Sequence, residues 1–339
     1  MTMMTFQEAL KDSEQFNTRH ALLGNGFSIA CRPEIFLYGK LYERADFSKL
    51  SPYTKKAFEA LSTQDFERVI KALRDTKEII KVYRCTDACL IDQLQKDADG
   101  LRELLVKTIA ACHPAWPGEI EEHEYAACRE FISHFKTVYT LNYDLLLYWA
   151  QMHNEEGVHP TSDDGFRKPE DDYEAGYVTW EPWNSKKQNM WFLHGALHLF
   201  DAGDETQKYT WINTGVRLVD QVRDALARDY YPIFVSEGSS REKYAKIKHN
   251  DYLAKGYRSF CEIGGCLFIY GHSLAPNDEH FIRRIENGKL KKIYVSIFGE
   301  HDAPLNKAII ARANSMATAR KYGRLDVAFY DAGSANVWG

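Results

Sequence analysis

Four short apolar runs in this chain each stop abruptly on small or polar residues. His20-Ala21-Leu22-Leu23 stops at Gly24, and Thr137-Val138-Tyr139-Thr140 closes on Asn142. Trp191-Phe192-Leu193 stops at His194, and Cys266-Leu267-Phe268-Ile269-Tyr270 at Gly271. Runs this short and this apolar suit strands covered on both faces rather than amphipathic helices. Further strands are expected at Pro232-Ile233-Phe234-Val235, at Ile293 to Phe298 and at Leu325 to Tyr330. The stretches between them carry helical patterns, so successive strands are joined by crossovers. The expected fold is α/β: a Rossmann-like, mostly parallel sheet covered by helices. In such a sheet, ligand-binding residues lie just beyond the carboxyl ends of the strands, which is where these stops fall.

The helical patterns divide the chain. Residues 6–18 read as an amphipathic lead-in helix. After the first strand the character changes, and a large helical insertion is expected over 36–135, with 1–35 and 136–339 forming the sheet domain. In the insertion, Thr63 is a plausible N-cap, and Phe66, Val69, Ile70 and Leu73 recur at helical spacing. A second pattern runs from Leu90 to Ile109 and ends before Pro114, and a third helix starts near Gly118. Asp144 is expected to open a helix carrying Leu145, Leu146, Tyr148 and Trp149, and another covers 216–228. Residues 154–176 read as an exposed excursion. Its acidic pairs Asp163-Asp164 and Asp171-Asp172 suit a solvated loop better than a metal.

Composition excludes several classes. Hydrophobic residues at 45% and charged residues at 27% indicate a packed core. A net charge of −5 without a long basic block gives no electrostatic footprint for direct nucleic-acid binding. No apolar run is long enough to span a bilayer, and the start of the chain lacks the pattern of a secretory signal. Seven cysteines, an odd number, read as reduced thiols in the cytoplasm. Cys85-x-x-x-Cys89 and Cys261-x-x-x-x-Cys266 do not form two Cys-x-x-Cys hooks; helices can gather Cys112, His113, His123 and Cys128, but their spacing is not that of a zinc site, so no metal is expected.

The stops carry the chemistry. In Gly24-Asn25-Gly26-Phe27-Ser28 two glycines allow close backbone approach to a pyrophosphate, or simply make a tight turn. Asn142 can fix a ribose hydroxyl or a water, or act as a turn residue. Asp144 competes between capping the next helix and touching ligand. His194, followed by Gly195, can serve as a base near neutral pH or as a packed core histidine. Gly271-His272-Ser273 can hold phosphate or ribose, and Asp278 can join them or begin the following helix.

In this order, the elements Gly-x-Gly-x-Ser, Thr-x-Asn-x-Asp, His-Gly and Gly-x-Ser resemble the sirtuin (silent information regulator) NAD-binding family. The likeness covers roughly 18–30, 136–150, 190–200 and 230–332, and is nearest to a bacterial sirtuin-like group related to anti-phage NAD hydrolases. The resemblance implies that Asn142 and His194 are catalytic. It implies that Gly24, Asn25, Gly26, Ser28, Thr140, Asp144, Gly271, Ser273 and Asp278 bind NAD, with Glu237 to Ser240 as a further phosphate-side loop. NAD would be the substrate, cleaved at the nicotinamide–ribose bond to nicotinamide and ADP-ribose. Deacylases of this family carry a four-cysteine zinc module after His-Gly, whereas residues 196–230 here contain no cysteine. The alternatives are protein ADP-ribosyl transfer or deacylation, and NAD or ADP-ribose sensing without turnover. Such a hydrolase would kill its host if unrestrained. The resemblance therefore also implies a homo-oligomer, held off until triggered, with a separately encoded ATPase or Argonaute-type partner.

Overall fold

The computed structural model describes residues 3–83, 88–153, 162–211, 213–235 and 239–339. In chain order the strands are β1 Arg19–Leu23, β2 Thr137–Thr140, β3 Phe166–Arg167, β4 Tyr177–Trp180 and β5 Met190–Phe192. They continue with β6 Leu199–Asp201, β7 Thr206–Tyr209, β8 Gly264–Tyr270, β9 Lys289–Ile297 and β10 Asp326–Asp331. Six of them form one sheet in the order β10-β9-β8-β1-β2-β5, and every pairing in it is parallel. The α/β fold with a parallel sheet flanked by helices is as expected.

Register shows how both faces are covered. Ala21 lies beside Val138 and Phe268, while Leu22 lies beside Tyr139 and Ile269. Side chains alternate along a strand, so these two rows face opposite ways. Phe268 packs on Phe6 of the helix Phe6–Asp12 at 5.9 Å and on Phe135 at 5.3 Å. On the other face Tyr139 meets Phe260 of the helix Asp251–Glu262 at 5.1 Å. The strands are accordingly apolar without alternation.

From β1 the chain proceeds to β2 and β5 on one side, whereas β8, β9 and β10 extend the sheet on the other. The strand order thus reverses between β1 and β8, and an open α/β sheet has its ligand crevice at such a point. Between β1 and β2 the described residues are helical. The helices Phe66–Val82 and Ala88–Cys112 pair there, joined by Arg74–Asp99 at 2.9 Å and Lys77–Gln95 at 2.7 Å. Phe47, Phe58 and Phe66 form their aromatic core.

Several details depart from expectation. The helix at 66 is capped by Asp65, whose carboxylate accepts from Arg68 N–H at 3.3 Å, while Thr63 accepts from Asp65 N–H at 3.2 Å. The third insertion helix begins at Glu122, after a single 3-10 turn at Pro117–Glu119. Residues 232–235 are not a strand; only Phe234 bridges to Gly195, and Pro232 has no N–H with which to extend a ladder. The excursion is not simply a solvated loop either: residues 154–161 lie outside the described residues, but the rest contributes to a second, antiparallel sheet in the order β3-β4-β7-β6. There Asp164 is buried in an ion pair with Lys208 at 2.5 Å. Among the described residues no helix is long and apolar enough to cross a membrane.

Candidate functional site

Because the sheet is parallel, the residues that follow β8, β1, β2 and β5 line one edge in that order. Gly271, Gly24, Asn142 and His194 therefore share this edge, and the fold gathers the four elements that the sequence singled out.

The two glycine loops are laced to each other. Gly24 N–H donates to Tyr270 O at 2.9 Å, and Gly26 N–H donates to Gly271 O at 2.8 Å. A Cβ on Gly26 would lie 2.5 Å from the Gly271 Cα, and one on Gly24 would lie 2.7 Å from the Gly271 O. Here the glycines let backbone approach backbone, and Gly271 adopts φ +65°. The tight-turn reading thus accounts for both glycines. Asn25 ties the same loop to the insertion by donating to Phe36 O at 3.2 Å. Gly271 N–H is held by Ser296 Oγ at 2.9 Å, while Ser273 is exposed.

Beside this junction runs a buried relay. Asn142 Nδ2 donates to Gly24 O at 3.0 Å and to Ser28 Oγ at 2.8 Å. Ser28 Oγ in turn donates to Asp144 Oδ2 at 2.5 Å. Asp144 Oδ1 accepts from Leu146 N–H at 2.9 Å, so Asp144, one residue before the N-cap Leu145, holds the first N–H of the helix Leu146–Met152 and anchors Ser28 at once. Burial raises the Asp144 pKa; the Ser28 and Leu146 donors work against that rise without cancelling it. Thr140 Oγ1 accepts from Asn142 N–H at 3.0 Å and so shapes the turn. Gly24 O can only accept, which dictates that the Asn142 NH2 faces it. With both N–H groups engaged, the amide retains its carbonyl Oδ1 as the acceptor available to a ligand.

The insertion supports this turn too. His113 Nε2 accepts from Leu145 N–H at 3.0 Å, and its Nδ1 faces Pro114 O at 3.0 Å. Those partners require the neutral imidazole, and burial lowers the His113 pKa to about 4. With both nitrogens engaged, His113 is no metal ligand. The described cysteines are free thiols.

His194 is 2% exposed. Gly195 after it has φ +81°, and a Cβ there would meet Ile233 O at 2.0 Å, so this turn demands glycine. Segment 231–235 closes over the histidine: Val235 N–H donates to His194 O at 2.9 Å, and Phe234 packs on Tyr143 at 4.0 Å. The Tyr143 ring is parallel to the imidazole at 6.3 Å. His194 Nε2 makes no hydrogen bond and lies 3.7 Å from Asp278 Oδ1.

Asp278 stands at the N-cap of the helix Glu279–Asn287, as one expectation had it, but its side chain does not cap that helix. Its Oδ1 faces Lys243 Nζ at 3.2 Å and its Oδ2 faces His272 Nε2 at 3.1 Å. Lys243 also reaches Glu67 Oε2 at 3.3 Å. Burial works to raise the Asp278 pKa, but Lys243 and His272 outweigh it and hold the carboxyl well below its usual range. Burial pushes Glu67 up to about 7, with Lys243 only partly opposing. Burial drives the His194 pKa down, with Asp278 resisting and Lys243 reinforcing, so the imidazole is neutral. Asp278 is the ionised partner of Lys243, and Glu67 is the member of the trio that titrates near neutrality.

Donor atoms of His194, Asp278 and His280 lie within 4.8 Å of one another. The ammonium of Lys243 already occupies the cationic position beside Asp278 Oδ1, so these residues do not fit a metal ion. Cavities of about 260 and 450 Å³ lie elsewhere; neither is lined by Asn142 or His194. Of the expected phosphate-side loop, Glu237 to Ser240, residues 237 and 238 lie outside the described residues; Ser239 caps the helix Ser240–His249 and Ser240 Oγ lies 3.1 Å from His280 Nδ1.

Glu67, Lys243, Tyr143 and Ser296 were not expected at the site. Glu67 looks in sequence like an ordinary acidic residue of a first helical turn, and Lys243 like one of several basic residues on a polar helix. His272 and Asp278 sit in a motif already singled out, where His-x5-Asp spacing was the available signal. No curated protein matches the chain. Residues 21–338 match the family described as Domain of unknown function (DUF4917), and the chain belongs to that family.

Proposed function

We propose that this protein is a sirtuin-like NAD hydrolase that cleaves the nicotinamide–ribose bond, giving nicotinamide and ADP-ribose. The observation that carries the reading is the Asn142 side chain at the strand edge. Both its N–H groups are engaged by Gly24 and Ser28, which leaves a fixed carbonyl acceptor. Such an oxygen suits an attacking water or a ribose hydroxyl, each of which must be held by its proton.

Cleavage moves positive charge from the pyridinium onto the ribose, through an oxocarbenium-like transition state. Water adds to the anomeric carbon, neutral nicotinamide departs, and one proton is released. His194 would polarise the hydroxyl through its unpartnered Nε2; burial keeps it unprotonated at neutral pH and weakens it as a base, so it takes up that proton only where bound ligand raises its pKa. The crevice between β1 and β8 would take the remainder of the dinucleotide. Consumption of NAD fits a cytoplasmic effector of anti-phage defence, working as a homo-oligomer and released by a separately encoded partner.

The test is incubation with NAD and chromatographic measurement of nicotinamide. Asn142→Ala and His194→Ala should each lower release at least about 100-fold. Undiminished release in both would defeat the assignment. Tight NAD binding without product would favour the sensing alternative, and label transferred from NAD to protein would favour ADP-ribosyl transfer.

A further inference from the structure

Glu67 is carried by the helix Phe66–Val82, between β1 and β2, whereas its partners come from the sheet-forming parts of the chain. Its carboxylate meets Lys243 Nζ at 3.3 Å, Asn277 Nδ2 at 3.2 Å and the Tyr143 hydroxyl at 3.4 Å. Each of these partners adjoins His194 or its neighbour Asp278. Lys243 and His194 both face Asp278 Oδ1, Asn277 precedes Asp278, and Tyr143 is parallel to the imidazole. The neighbouring Phe66 points instead into the insertion's own aromatic core, 5.1 Å from Phe58 and 6.1 Å from Phe47.

These attachments differ in kind. The Phe66 contacts are apolar and are lost whenever their area is wetted. The Glu67 contacts are polar, and water can replace each of them. A buried ion pair contributes little net stability, because the desolvation cost offsets much of the attraction. The part of the insertion built on Phe47, Phe58 and Phe66 could thus part from the sheet domain at Glu67 for a modest cost, while Phe135, on Phe268, and His113, on Leu145, hold the rest in place. His194 is 2% exposed with an unpartnered Nε2, so a molecule reaches it only when one of its covers, segment 231–235 or the Glu67 contacts, parts.

We propose that this part of the helical insertion is a lid over His194 and that Glu67, clasping Lys243, is its latch. This deepens the hydrolase reading by supplying the restraint such an enzyme requires, and it rests on that reading only for what the opened site does.

The experiment separates the two. Full-length parent, Glu67→Gln and Glu67→Ala proteins are treated with diethyl pyrocarbonate, and carbethoxylation of His194 is timed by peptide mass spectrometry. Nicotinamide release from NAD is followed in parallel. Parent His194 should react slowly, at least tenfold faster in Glu67→Ala, and at an intermediate rate in Glu67→Gln, which keeps the shape and loses the charge. If Glu67→Ala fails to fold, the isosteric variant decides. A His194 rate equal to the parent's in a folded variant overturns the latch, as does parent His194 reacting as fast as the exposed His123. Faster modification with raised nicotinamide release supports both latch and hydrolase. Faster modification with no nicotinamide from any protein supports the latch and removes the hydrolase.

Discussion

Replacing Ser28 with alanine cuts the relay at its centre. The hydroxyl accepts from Asn142 Nδ2 at 2.8 Å and donates to Asp144 Oδ2 at 2.5 Å. Both neighbours are buried, so neither gains water in exchange. A bond to a neutral partner contributes about 1 kcal/mol and one to a carboxylate about 2 kcal/mol, so the expected loss is about 3 kcal/mol. With a urea slope of about 3 kcal/mol per molar, the unfolding midpoint should fall by about 1 M. The deficit should also depend on pH in a defined direction. Burial raises the Asp144 pKa and the Ser28 donor restrains that rise. Without the donor the carboxyl rises further, and an acid whose folded pKa exceeds its unfolded value loses stability as pH rises through it. Ser28→Ala should therefore cost more at pH 8 than at pH 5. Paired urea titrations, with Asp144→Asn and the double variant completing a cycle, measure both quantities. A loss below about 0.5 kcal/mol at pH 8, or a coupling energy near zero, would refute the relay as a stabilising unit.

Two further expectations concern backbone and protonation. Gly26→Ala places a Cβ 2.5 Å from the Gly271 Cα, where only backbone movement can relieve the clash, and should cost more than about 3 kcal/mol. Gly203→Ala, with φ +97° but no atom within 4 Å, should cost only about 1 kcal/mol, so equal thermal shifts in the two variants would contradict the close-approach account. Burial lowers His20, His113 and His280 to about 4, and lowers His194 and His198 as well. Histidines with depressed folded pKa values take up protons on unfolding, so stability should fall as pH drops from about 6.5 to about 4. Asp65, Glu67, Asp144, Glu181 and Glu286, all raised, act in the opposite sense and make the fall shallower. Urea midpoints that stay flat across that interval would count against the buried, neutral histidines.

The strands of the parallel sheet were legible because burial on both faces leaves a local signature: a few apolar residues in succession and a sharp stop. That signature located Leu23, Thr140, Phe192 and Tyr270 as strand ends to the residue or within one. It also misled at 232–235, which is apolar because it covers His194 rather than because it pairs in the sheet. The small antiparallel sheet escaped notice for the converse reason. Its strands run two to four residues, and Thr206-Gln207-Lys208-Tyr209 hides a buried lysine whose partner Asp164 looks like part of a solvated acidic pair.

Sequence alone determined the parallel sheet, the helical stretch after its first strand and the residues at four strand ends, since each depends on neighbours only a few positions away. Tertiary structure decided which way those residues are turned and what confronts them. Glycines that could have cradled an anion interlock with each other, and an asparagine is turned by a serine 114 residues distant. Glu67 meets Lys243 across 176 residues. Contacts at that separation follow from how the crossovers bring helices over the sheet edge, and a polar residue carries no periodic mark of the partner it will meet.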